Sequence, residues 1–373
     1  MIKSCGCNDH FQLCIKPNKK GAFGTPCNSP PSTLDVDASS VSSFSSCVDH
    51  SVMITLSGEI LAIGDNRDGR ISGSLPKKEL TEFTKYELKD SKNRHCIPIS
   101  AVCGFYYTLY LVTIKGTNKN YLAYSSSQIK SEYPVMLDIG NKNPIALYGG
   151  YFYNAAAIDT EGSIIYIPSG INASASKITE ASRLPGSEKA VSIAVLNDCV
   201  FALGESGKVF CSEIASGKLS FAAHKELEGI KISQISGTRN CGLAVSDDHR
   251  TFGLGGDSDA DFSKFPSLKK CKITSAYRGV RHSFFITEEG RVLARGAMIV
   301  VSWHSMNQVL IFQSQLKRRS PAVVHSALQE TVHRSFSLAI LQRGVQTGGS
   351  RASLRTQNQG RRAKLTLQLK MRN

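Results

Sequence analysis

One pattern constrains this 373-residue chain more than any other. Apolar residues alternate along a short stretch, a turn ending in glycine interrupts them, and a second apolar stretch follows. The pattern occurs at residues 50–64, 109–116, 155–167, 199–210 and 282–296; a sixth copy, 241–253, carries His249 where the others carry glycine. The turn positions Gly58, Gly116, Gly162, Gly207, His249 and Gly290 are 58, 46, 45, 42 and 41 residues apart. Period-two alternation makes a strand with a buried face, and glycine supplies the positive φ of a tight turn, so each copy predicts a β-hairpin. One hairpin is marginal in water, but six in series can bury one another's faces, as in a propeller or solenoid. A run such as Ala155-Ala156-Ala157 lets neighbouring sheets approach closely.

Two further features recur. A glycine stands 11 or 12 residues ahead of four of the turns, at Gly104, Gly150, Gly237 and Gly279. After the first hairpin comes Gly64-Asp65-Asn66-Arg67-Asp68-Gly69-Arg70-Ile71, and the N-terminus carries Gly6-Cys7-Asn8-Asp9-His10-Phe11-Gln12-Leu13. Together these resemble the repeat of the regulator of chromosome condensation family, a unit of the form G-x-x-H, apolar alternation, D-G, apolar strand and G-x-N-x-x-G-Q-L-G. The resemblance covers residues 4–14 and 41–296. It has departures: Cys47 replaces the glycine of the first full copy, residues 192–211 keep only the hairpin, and the Asn-containing turn is recognisable only at 6–13 and 64–71.

The resemblance implies an all-β fold, a seven-bladed β-propeller of four-stranded antiparallel blades, here incomplete. It implies protein partners and no catalytic residues. The founding type resembles a chromatin-bound exchange factor for the small GTPase Ran; others sit in ubiquitin ligases or act as light receptors. The expected reading is a non-enzymatic interaction propeller over residues 1–296, with exchange activity toward a Ran-type GTPase, or association with chromatin, as alternatives. Segment 4–14 is expected to be the N-terminal strand that closes the last blade, because pairing the termini removes exposed edges. Segment 17–40, with Pro, Ser and Gly throughout, reads as a long surface loop, and the charged stretch 76–95 reads as another.

Composition splits the chain at Gly296. The net charge of +15 invites a nucleic-acid reading. Residues 297–373, however, hold 12 Lys+Arg against one acid, Glu330, nine of the Gln and the only Trp, Trp303, with no Cys, Tyr or Asp. The first 296 residues are near balance, which removes the nucleic-acid reading for that part. The break falls where a turn motif is due, and the chain instead reads Ala297-Met298-Ile299-Val300-Val301-Ser302-Trp303-His304. Back-translating from Gly296 with permitted codons and restoring one T gives G-C-N-D-C-G-Q-L-A, nearly the N-terminal motif. Residues 297–373 are therefore expected to be an out-of-frame, basic tail without an evolved fold.

The 11 cysteines are odd in number and scattered singly, which predicts reduced thiols in a cytoplasmic or nuclear protein. No apolar run approaches a membrane helix, and residues 1–6 lack an apolar secretion segment. A monomer is expected.

No site residue, metal or cofactor is assigned. Cys5, Cys7, His10 and Cys14 offer zinc-ligand types, but their spacing fits no common pattern and places them in a repeat turn. His50 and His282 hold the histidine position of the repeat, where Tyr107 and Asn154 stand in other copies; a position accepting all three reads as a buried hydrogen-bonding site. The stretch 204–209 fails the phosphate-loop spacing, and Asp257, Asp259 and Asp261 lack the glycine and closing Glu of a calcium loop.

Overall fold

The computed structural model describes residues 2–4, 32–34, 40–129, 131–172, 176–178, 181–214, 218–255, 271–279, 282–296 and 340–341. All six predicted hairpins form. Each is extended by a preceding strand into a sheet, here called blades 1 to 6 in chain order. Blade 1 is Val41–Ser46, His50–Thr55, Ile60–Asp65 and Glu79–Tyr86. Blade 2 is His95–Cys103, Tyr107–Ile114, Asn120–Ser126 and Val135–Met136, with Leu88–Lys89 added at its first edge. Blade 3 is Pro144–Gly149, Ala155–Asp159, Ile164–Ile167 and Ala181–Ser182, and blade 4 is Ala190–Val195, Cys199–Gly204, Val209–Glu213 and Ala222–Ala223. Blades 5 and 6 show three strands each among the described residues: Ile232–Thr238, Cys241–Ser246 and Thr251–Leu254, then Ile273–Arg278, His282–Thr287 and Val292–Gly296. All pairings within blades are antiparallel. The first strands of successive blades are neighbours from blade 1 to blade 6, so they line the axis about which the blades turn.

Alternation along each strand divides its side chains between two neighbouring blades. In blade 2, Tyr110 and Val112 pack with Val52, Ile54 and Ala62 of blade 1. Leu109 and Leu111 point the other way, onto Leu147, Ala155 and Ala157 of blade 3. Ala156, between those two alanines, joins Ile193, Val195 and Ala202 of blade 4. Small residues here set a close spacing between sheets, and both faces of each middle strand become core. Burial of each large apolar side chain contributes about 1.5–3 kcal/mol.

The turn prediction holds at all six positions. Gly58, Gly116, Gly162, Gly207 and Gly290 have φ between 76° and 86°, and His249 adopts the same left-handed backbone at φ 67°. Every first strand also carries a bulge. In blades 1, 5 and 6 the extra residue is Ser42, Ser233 or Thr274, whose hydroxyl donates to a carbonyl of the second strand at 3.0, 3.0 and 3.2 Å. In blades 2, 3 and 4 it is Ile99, Ile145 or Val191, exposed by 41%, 52% and 46%.

The stretch 76–95 is not the expected loop. Glu79–Tyr86 is the fourth strand of blade 1, paired with Ile60–Asp65, and Leu88–Lys89 pairs with His95 and Cys96. Within Glu79–Tyr86 the charged residues reach solvent while Leu80 and Tyr86 are buried, as in an edge strand guarded by charge. Apart from these elements, Ile2–Ser4 pairs with Ser32–Leu34 and with Ile340–Leu341. Most of the segments 4–14 and 17–40, the acidic turn at Asp257, Asp259 and Asp261, and nearly all of 297–373 lie outside the described residues, as do Cys5, Cys7, His10 and Cys14. Among the described residues there is no α-helix, no helix able to cross a membrane and no metal-binding cluster.

Candidate interaction surface

In blades 1 to 4 the loops between first and second strands share one construction. A backbone N–H closes each turn onto a carbonyl three or four residues on: Cys47 to His50, Gly104 to Tyr107, Gly150 to Asn154 and Leu196 to Cys199, at 2.8–2.9 Å. The recurring glycine is needed for room rather than for φ. A Cβ on Gly104 would stand 1.8 Å from the Tyr107 ring, and one on Gly150 would stand 2.3 Å from Asn154 Oδ1.

The residue at the repeat's histidine position then reaches into the next blade. His50 Nε2 is 2.9 Å from Thr108 Oγ1. The Tyr107 hydroxyl is 2.9 Å from the Asn154 carbonyl and accepts from the Gly150 N–H at 3.1 Å. Asn154 Nδ2 donates to the Leu196 carbonyl of blade 4 at 2.9 Å. Asn197 continues the series by donating to Asn240 Oδ1 of blade 5 at 2.9 Å. His50 is fully buried, and burial together with the nearby Arg70 charge pushes it down to about 3, against a lesser pull from Asp65. It is neutral at physiological pH and serves as the hydrogen-bonding group expected of this position. His282 starts the second strand of blade 6, apart from His50 in the order of blades.

The Asn-containing turn is equally specific. Asn66 is fully buried; its Oδ1 accepts from the N–H groups of Ile71 and Ser72 at 3.0 and 3.2 Å, and its Nδ2 donates to the Ser72 carbonyl at 3.0 Å. This folds Arg70 inward, onto Asp49 at 2.8 Å, Asp68 at 2.6 Å and the Phe105 carbonyl at 3.1 Å. Burial raises Asp65, but hydrogen bonds from Arg67 and the Arg70 charge hold it below the ordinary carboxylate range. The cluster is an internally paired clamp rather than an acid–base site.

On this frame lies a feature that periodicity along the chain does not single out. Phe105-Tyr106 of blade 2 and Tyr151-Phe152-Tyr153 of blade 3 form a continuous aromatic ridge. Phe105 stacks on Tyr151 at 5.7 Å between centroids, and Tyr106 stacks on Tyr153 at 5.0 Å. Phe152 stands edge-on to Tyr151 at 4.4 Å. Backbone bonds from Phe105 N–H to the Tyr151 carbonyl, 2.7 Å, and from Tyr106 N–H to the Phe152 carbonyl, 3.4 Å, hold the two loops together. Arg70 covers Tyr106 at 5.5 Å, and Arg239 of blade 5 covers Tyr151 at 5.8 Å. Tyr151 is buried, Phe105, Tyr106 and Tyr153 are half-buried, and Phe152 is exposed by 36%. A signal for it is present in the sequence: each repeat glycine, Gly104 and Gly150, is followed by three aromatic residues.

No family model matches the chain, and no curated protein matches it. Solved structures do. Human WBSCR16 is 12% identical with a TM-score of 0.58, over 80% of this chain and 89% of that one. Prp20p from Saccharomyces cerevisiae is 13% identical with a TM-score of 0.55, over 79% and 80% of the two chains. Yeast RCC1 (Prp20) bound to Kap60 is 13% identical with a TM-score of 0.54, over 79% and 78%. The chain has the fold of these propellers. Prp20p has binding properties toward Gsp1p and histones.

Proposed function

We propose that this chain is a divergent member of the regulator of chromosome condensation family and a non-enzymatic interaction propeller that docks partner proteins on the ridge of Phe105, Tyr106, Phe152 and Tyr153. The ridge itself carries the reading. Its rings are held in place before any partner arrives, so little entropy is lost on binding, and aromatic and arginine side chains dominate binding energy at protein interfaces. Affinity capture with wild type and with Phe152→Ala tests it: a partner retained by the first and lost by the second supports the reading.

A second reading is nucleotide exchange on a Ran-type small GTPase, which the fold likeness to Prp20p favours. Such activity needs a wedge against the nucleotide rather than a catalytic triad. Unchanged GDP release across a panel of Ran-type GTPases would remove it. The site of action under either reading is the cytoplasm or nucleus.

For residues 297–373 the proposal is an out-of-frame translation, so that their excess of basic residues says nothing about partners and chromatin binding through them falls away. Resequencing the gene and its transcript decides this. An intact frame together with a tail peptide from native cells would refute it.

A further inference from the structure

Cys199 opens the second strand of blade 4, and Cys211 lies in the third. The register sets Cys199 opposite Glu213 and Phe201 opposite Cys211, so the cysteines are diagonal neighbours on one face of the sheet. The two thiols lie near enough for each to shift the other's hold on its proton. Both pack against the apolar cluster between blades 4 and 5, yet both are only half-buried, whereas Cys47, Cys96, Cys103 and Cys241 are buried. The contact also polarises the pair. Cys211 holds the Cys199 thiol well up, with burial adding to the effect, while Cys199 brings the Cys211 thiol down against burial.

We propose that Cys199 and Cys211 form an oxidation-sensitive thiol pair that closes to a disulfide under hydrogen peroxide. The Cys211 thiol loses its proton and its sulfur attacks one peroxide oxygen. The O–O bond breaks, and the departing hydroxide takes up a proton and leaves as water. Cys211 is then a sulfenic acid. The Cys199 sulfur attacks the Cys211 sulfur, the S–O bond breaks, and the hydroxide departs with the Cys199 proton as a second water. Two thiols and one peroxide thus become one disulfide and two waters; the sulfurs lose two electrons and the peroxide gains them. Cys199 is the first residue of its strand, so it can adjust to the bond without disturbing the ladder beyond it.

The location gives the bond a consequence. Leu196 N–H donates to the Cys199 carbonyl at 2.9 Å, the Leu196 carbonyl receives Asn154, and Asn197 N–H donates to the Arg239 carbonyl at 2.5 Å. A disulfide ties this loop, at the margin of the aromatic ridge, to the third strand. The pairing rests on the strand register and is independent of what the ridge binds.

The full chain is titrated with hydrogen peroxide, alkylated and digested with trypsin without reduction. Lys208 lies between the two cysteines, so the disulfide joins peptide 190–208 to peptide 209–218. The expected result is that the joined pair accumulates before the buried cysteines lose reactivity, and that dithiothreitol separates it. In Cys199→Ser, a sulfenic-acid reagent should trap Cys211; in Cys211→Ser it should leave Cys199 unlabelled. Absence of the joined pair in wild type, or oxidation of the buried cysteines ahead of it, overturns the proposal.

Discussion

The Tyr107 hydroxyl of blade 2 hydrogen-bonds the Asn154 carbonyl of blade 3 at 2.9 Å, and Asn154 passes the contact on to Leu196 of blade 4. The blades are thus tied by polar groups at one end of their second strands as well as by apolar packing along them. Tyr107→Phe keeps the ring stacked on Tyr124 and removes only the tie. The expected loss is about 1 kcal/mol, read as a lower urea midpoint at unchanged slope. An unchanged midpoint would mean that packing alone aligns the blades.

His50 predicts a pH dependence. It takes up a proton only near 3 when folded, against 6.5 in the unfolded chain. Between those values the unfolded state binds the extra proton, so stability falls as pH drops from about 6.5 toward 3, by at most about 1.4 kcal/mol per pH unit. His50→Asn substitutes the residue found at the same position of blade 3 and cannot titrate. Its melting temperature should fall less steeply with acid than that of wild type; parallel curves would place the acid sensitivity elsewhere.

The turn glycines divide by whether their geometry is met by glycine or by strain. At Gly207, φ is 86° and a Cβ would stand 2.6 Å from Lys231 Cγ, so Gly207→Ala should destabilise by about 1–3 kcal/mol. His249 already bears a side chain at φ 67°, and His249→Gly should gain up to about 1 kcal/mol despite a more flexible unfolded state. Chemical denaturation of both variants reads the contrast; a gain from Gly207→Ala would contradict it.

The bulges supply a substitution taken from the chain's own repeats. Thr274 occupies in blade 6 the place of Ile145 in blade 3 and donates to a carbonyl of the second strand. Ile145→Thr should leave stability within about 0.5 kcal/mol, since it exchanges an exposed apolar group for that hydrogen bond. Light scattering at raised protein concentration should show less association, and greater association would argue against the exchange.

The six hairpins were legible because their middle strands are buried on both faces and so read as apolar runs, and because Gly58, Gly116, Gly162, Gly207 and Gly290 mark the turns. The strand Glu79–Tyr86 was not legible: as an edge strand it buries only Leu80 and Tyr86 between charged residues, and no periodicity survives. The role of the repeat's histidine position was readable from its tolerance of His, Tyr and Asn. The aromatic ridge was only half legible: three aromatic residues follow both Gly104 and Gly150, but only the packing of two neighbouring blades sets Phe105 and Phe152 edge-to-face in one ridge. The Cys199–Cys211 contact depends likewise on register, which spacing along the chain does not reveal.

Docking on the aromatic ridge is the central claim. The most direct measurement is the dissociation constant of a captured partner for wild type, Tyr106→Ala and Phe152→Ala, with urea midpoints taken on the same samples. Weakening of about tenfold or more is expected in each variant while the midpoints stay close to wild type. Equal affinity for all three proteins, at equal stability, would contradict it.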